Sequence, residues 1–240
     1  MEIFRTFGAE QMRNFIFGIV FMSLCVLPAP ASWDVQSNSQ FQERINVIGF
    51  NILNSNRIEN RLIFLVSNRV YSRDIHSDVS MINRTVMIKP EVRPFIDSDD
   101  ELAGILSHQI SHGVDTYEGI LRGYVSVLNY WVAPNKYDQK ADKRAVDYMV
   151  NAGYNPLALI VIMNKTGKQY RYDVFSNHSL ISRRMMRIYE YIYAKYPSIL
   201  ADNEYKDNVY YQNFLLTSRK NRMMLQEKIK NGQNKRLNYL

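Results

Sequence analysis

Asp99-Asp-Glu-Leu-Ala-Gly-Ile-Leu-Ser-His-Gln-Ile-Ser-His112 opens on acids and closes on two histidines four residues apart. Just ahead of it, Asp97-Ser98 offers an N-cap side chain, and the acids that follow suit the positive end of a helix dipole. The pattern predicts a helix from about 99 to 112 or beyond. On such a helix His108 and His112 lie on one face a turn apart. That spacing lets two imidazoles reach one metal ion; two packed or two surface histidines use it equally well. The chain has four histidines, and the other two are His76 and His178.

Working towards the N-terminus, Phe41, Ile45, Ile48 and Ile52 step by four, three and four, which predicts an amphipathic helix over about 36–56. Residues 61–66 read as a strand. Residues 79–82 and 85–88 read as short strands joined by a hairpin at Asn83-Arg84, with Pro90 and Pro94 closing that region. Towards the C-terminus an apolar helix is predicted over 118–131. After Ala133-Pro134-Asn135 comes another, with Ala141, Ala145, Tyr148, Met149 and Ala152 on one face and Gly153 as its stop. Asn155-Pro156 starts a helix to about 165. Further helices are expected over 181–196 and 207–231, the last with Val209, Leu216 and Met223 at seven-residue spacing. The expected class is α+β, helix-rich with one small sheet.

The chain has 240 residues, 46% apolar and 22% charged, which excludes a disordered chain and suffices for a hydrophobic core. One cysteine, Cys25, excludes an internal disulfide and a thiolate metal cluster. The net charge of +7 is concentrated at the end: 219–240 carries seven basic residues against one acid, Glu227. No aromatic–basic interleaving accompanies the run, so no nucleic acid partner is expected. A solvated helix end or peripheral contact with an anionic membrane accounts for it. Arg13 precedes thirteen uncharged residues, 15–27, and then Ala29-Pro30-Ala31. A basic flank, a short apolar core and a small-x-small site predict a secretory signal peptide over 1–31, cleaved after Ala31, with Met12 a second candidate start. Retention as an uncleaved anchor is the alternative. The expected layout is then a domain over 32–200 and a basic C-terminal helix over 201–240, in a periplasmic or secreted protein.

The segment 99–112 resembles the active helix of the HtpX/Oma-type zinc metallopeptidases, which include the CAAX prenyl endopeptidases. Their helix typically reads DDELAAVLAHEIGH. A later helix of that family carries E-x-x-A-D, often followed by AGYDP; here Asp138-Gln-Lys-Ala-Asp142 precedes Asn151-Ala-Gly-Tyr-Asn-Pro156. The family then has a T-H-P loop with an arginine six residues after the histidine, and here Ser176-Asn-His178-Ser179 precedes Arg184. The resemblance covers roughly 36–195. It implies a zincin-like domain with one zinc ion held by His108, His112 and Asp138, and Asp142 orienting a ligand histidine. Donor atoms around zinc would then lie about 3–4 Å apart. His178 would sit over the metal as a reversible ligand or oxyanion donor, the alternative being an ordinary surface-loop histidine. Arg184 would support that loop or the substrate, or serve as a plain helix arginine. His76 receives no role.

Three departures bear on activity. Gln109 stands where the family has its general-base glutamate, Asp138 replaces a glutamate ligand, and Ser111 replaces a common glycine. Glu118 is a rival third oxygen donor. An amide cannot take a proton from a metal-bound water, and loss of general-base catalysis typically costs about 10²–10⁴ in rate. The expectation is a metallopeptidase-like protein with weak or no proteolysis that engages unfolded or extended polypeptide at a strand edge near 85–88. The alternatives are an active metalloendopeptidase with an unusual base, and a non-enzymatic exported protein that binds polypeptide or an anionic surface.

Overall fold

Phe41, Ile45, Ile48 and Ile52 are buried along one face of helix α1 (Ser32–Ser55), as their spacing predicts. The computed structural model describes residues 32–67, 77–80, 85–115, 134–167 and 181–233, and their side chains except at 32–37, 77–80 and 134. The predicted signal-peptide segment, the predicted hairpin turn at Asn83-Arg84, the helix predicted over 118–131, Glu118, His76 and His178 lie outside the described residues. The chain falls into two compact units, Met1–Ser39 and Gln40–Leu240, of which the second holds the sheet and the described helices beyond it.

Strands β1 (Ile63–Val66), β2 (Ser77–Ser80) and β3 (Thr85–Ile88) form one sheet in the order β1-β3-β2. β1 runs parallel to β3 with Ile63 opposite Thr85, and β2 runs antiparallel with Ser80 opposite Thr85. The described β2 begins two residues before the predicted 79–82. The central position of β3 corrects the expected docking edge, because Thr85–Ile88 is paired on both sides. The outer edge of β1 is also taken. Gln42 donates its amide N–H to Phe64 O at 2.9 Å and accepts from Val66 N–H at 2.7 Å, the two bonds a neighbouring strand would make.

A 3₁₀ turn (Pro90–Phe95) leads into α2 (Asp99–Asp115), followed among the described residues by α3 (Pro134–Asn151), α4 (Leu157–Thr166), α5 (Ile181–Lys195), the short α6 (Pro197–Ala201), α7 (Val209–Thr217) and α8 (Arg219–Lys230). The fold is α+β, helix-rich with one small sheet. Helix α2 is its axis: every side chain from Glu101 to His112 is buried. Gly104 permits this on one side, since a Cβ there would come within 3.3 Å of the Leu159 backbone in α4. Gly153, with φ of +81°, ends α3 as predicted, because its left-handed conformation suits a residue without a Cβ. Just ahead of α4, Asn155 Oδ1 accepts from Leu157 N–H at 3.0 Å, the first amide of the helix. The helix predicted over 207–231 is two helices meeting at Ser218, whose hydroxyl bonds back to Phe214 O at 2.6 Å. Its seven-residue stripe does not face the core; Tyr211, Phe214 and Leu225 do. No described helix is long and apolar enough to cross a membrane.

Candidate metal centre

The N-terminus of α2 is fixed first. Ser98 Oγ accepts from Glu101 N–H at 3.2 Å, and Glu101 reaches back to accept from Asp97 N–H at 3.0 Å, a variant of the capping box. Two and three turns further on, the same helix presents His108 and His112. Their Nε2 atoms stand 3.1 Å apart, with the rings nearly perpendicular at 82°. Across from them α3 contributes two carboxylates one turn apart, Asp138 and Asp142, both buried. Asp138 Oδ1 lies 3.5 Å from His112 Nε2. One donor atom from each of His108, His112 and Asp138 falls within 4.8 Å of the others. A tetrahedral site with bonds of about 2.0–2.2 Å has edges of about 3.3–3.6 Å. The separations of 3.1 and 3.5 Å lie close to that edge, and the set as a whole is somewhat wider than the expected spacing. The residues present therefore fit a metal ion: two imidazoles and one carboxylate, buried, aimed at one point.

Asp142 stands behind His108. Its Oδ1 is 3.0 Å from His108 Nδ1, so the proton belongs on Nδ1 and the Nε2 lone pair turns towards His112. Asp142 is in turn gripped by Arg184 from α5, whose Nη2 and Nε donate to its two oxygens at 2.6 and 2.9 Å. This forked pairing fixes the carboxylate in direction as well as charge. Burial pushes the Asp142 carboxyl up, but Arg184 and His108 outweigh it and hold it below the usual carboxylate range. Burial pulls the His108 imidazole down, and the positive charge of Arg184 adds to that against the pull of Asp142, so the ring is held neutral. A neutral imidazole is the form that ligates metal. Arg184 Nη2 is 3.5 and 3.4 Å from the two His108 ring nitrogens; being almost equidistant, it lies in line with neither lone pair.

The sequence-predicted triad and its supporting Asp142 are thus brought together, and Arg184 joins them through Asp142. Gln109 is buried in the same helix between the two histidines. Its amide can donate or accept a hydrogen bond but has no basic site that could take up a proton. Sequence reasoning misses one contributor. Asp115, at the far end of α2, accepts at Oδ1 from Lys140 Nζ at 2.6 Å and Arg144 Nη1 at 2.7 Å, both on α3. This ties the C-terminal end of α2, just past His112, to the middle of α3, just past Asp138. Basic residues at 140 and 144, one turn apart, are its only local signal. The chain has no significant match among protein-family models, curated proteins or solved structures.

Proposed function

We propose that the chain is an exported, zinc-binding metallopeptidase-type protein whose hydrolytic step is weak or lost. The observation that carries this reading is the convergence of His108, His112 and Asp138, with Asp142 and Arg184 arranged behind them. That order of motifs matches the resemblance to the HtpX/Oma-type peptidases. When bound, zinc supplies a Lewis acid that lowers the pKa of a coordinated water. The chain's own residues hold the site in shape: Asp142 keeps His108 in the Nδ1–H tautomer, Arg184 keeps Asp142 ionised, and the buried walls of α2 and α3 exclude bulk water. Gln109 can donate or accept a hydrogen bond there but cannot take a proton. Extended polypeptide would lie along β2, the outer strand that packs against α2.

The test is zinc content and casein cleavage by wild type and by Gln109→Glu. Wild type should bind one zinc per chain and cleave weakly or not at all. The near-isosteric variant should gain at least about 10²-fold, the lower end of the general-base contribution. Robust chelator-sensitive cleavage by wild type would show that another residue serves as base. Absence of zinc binding at neutral pH would remove the reading altogether.

A further inference from the structure

Helices α7 and α8 carry two apolar stripes, and only one of them faces the core. Tyr211, Phe214, Ser218 and Leu225 are buried, spaced by three, four and seven, so the inward face keeps its phase through the break at Ser218. The backbone supports this: Ser218 N–H bonds to Phe214 O and Arg222 N–H to Ser218 O, both in the helical four-residue pattern. On the opposite face Val209, Leu216 and Met223 are 76%, 75% and 58% exposed. Val209 and Leu216 stand about 10.5 Å apart along α7 at a rise of 1.5 Å per residue, and Met223 continues the face on α8.

The exposed stripe is flanked by positive charge. On a wheel of 100° per residue, Lys220 and Lys230 fall within 60° of Val209, and Arg219 falls just beyond. All three are exposed, and among the described residues none of them enters an ion pair. Four lysines and arginines of α3 to α5, by contrast, are tied to carboxylates: Lys140 and Arg144 to Asp115, Lys165 to Glu101, Arg184 to Asp142. The one acid of α8, Glu227, lies on the outer face between them.

We propose that this outer face of α7–α8 docks onto an anionic lipid surface. Valine, leucine and methionine have no group that must stay hydrogen-bonded, so they can enter the acyl boundary. Basic side chains beside them can lay their stems along the apolar layer and leave their charges at the headgroups. A second copy of the chain is a poorer occupant, because it would bring like charges together. This inference is independent of the metal centre.

The experiment is sedimentation of the full chain with vesicles of phosphatidylcholine alone and of phosphatidylcholine with about 30% phosphatidylglycerol, which imitates an anionic membrane surface. Residues 15–27 are apolar enough to bind either vesicle, so the readout is the difference between variants on the same vesicle. Wild type should prefer the anionic vesicles, and the preference should fade at high salt. Arg219→Gln/Lys220→Gln/Lys230→Gln should lose about fivefold in anionic-vesicle affinity per charge, or roughly 100-fold in all. Val209→Ser/Leu216→Ser/Met223→Ser should lose affinity for the anionic vesicles while melting as wild type does, since all three sites face solvent. Equal binding of wild type to both vesicles, or charge-variant binding unchanged from wild type, overturns the proposal and assigns the stripe to a protein partner.

Discussion

The two halves of helix α2 are both buried and both polar, yet they use their polar groups in opposite ways. In the N-terminal half Glu101 is enclosed by partners. Lys165 Nζ donates to its two oxygens at 2.7 and 2.9 Å, Asp97 shares the same ammonium, and the Asp97 backbone N–H closes the ring. Burial pulls the Lys165 ammonium down, but Asp97 and Glu101 outweigh it and raise its pKa, so the charge stays. In the C-terminal half His108 and His112 are aimed, with Asp138, at one point. Around them Ser107 Oγ, Ser111 Oγ and Asp115 Oδ2 are buried without a hydrogen-bond partner among the described residues. Native interiors leave few such atoms, and they concentrate where function competes with packing. One end of the helix closes its charges on themselves, and the other keeps donor atoms directed at a common centre.

The sharpest break of the first half is Lys165→Met. It keeps most of the stem but leaves the Glu101 carboxylate buried without its cation. Removing one member of a buried ion pair typically costs about 3–5 kcal/mol, which urea denaturation would measure. A loss under about 1 kcal/mol would mean that the cluster is not what anchors the start of α2.

Metal addition probes the second half. At a free zinc concentration of about 100 times Kd the native state should gain about 2.7 kcal/mol, seen as a rise in Tm. His108→Ala should abolish that rise, while Lys165→Met should keep it from a lower baseline. Acid should act on the metal-free protein in a defined direction. His108 is held below its ordinary pKa of 6.5, so the unfolded chain takes up the proton first. Stability is then full above pH 6.5 and declines as pH falls from there through the folded-state value. Asp142, lowered from 3.8, adds a second decline below that pH. His108→Gln should remove the first decline and leave the second.

Much of the second half was legible in the sequence because its logic is local. His108 and His112 are one turn apart on one helix, so the pair announces its own face; Asp138 and Asp142 were legible through the resemblance to the peptidase motif. The first half was less so. Glu101 was visible as a first-turn acid, but its partner Lys165 lies in another helix and carries no pattern that points to residue 101. The Gln42 amide closing the edge of β1 was hidden for the same reason, and so was the sheet order that places Thr85–Ile88 in the middle. The stripe of Val209, Leu216 and Met223 shows the limit of periodicity. A seven-residue spacing marks a helix face, and only the packing of Tyr211 and Phe214 decides which face turns inward.

Asp115→Asn is a milder break, directed at the join between α2 and α3. It removes the charge that holds Lys140 and Arg144, whose side chains are partly solvated, so the expected loss is about 1–2 kcal/mol. Because the same residue links the end of α2 beyond His112 to the middle of α3 beyond Asp138, zinc affinity should fall with it. Unchanged affinity in a destabilised variant would mean that the helix junction does not position the donors.

The smallest effect expected has the opposite sign, and it separates the two halves most directly. Ser98 Oγ accepts from Glu101 N–H, so Ser98→Ala removes a helix cap and should cost about 1 kcal/mol. Ser111 Oγ is buried with no partner among the described residues, so Ser111→Ala deletes an unsatisfied hydroxyl and puts a better helix former in its place. Ser111→Ala should be neutral or stabilise the metal-free protein by up to about 1 kcal/mol in urea denaturation. The same substitution of the same residue type, thirteen positions apart on one segment, would thus move stability in opposite directions. A loss of about 1 kcal/mol or more in Ser111→Ala would mean that its hydroxyl is bonded in solution. The polar imbalance of the C-terminal half would then rest on Ser107 Oγ and Asp115 Oδ2 alone, beside the aim of His108, His112 and Asp138.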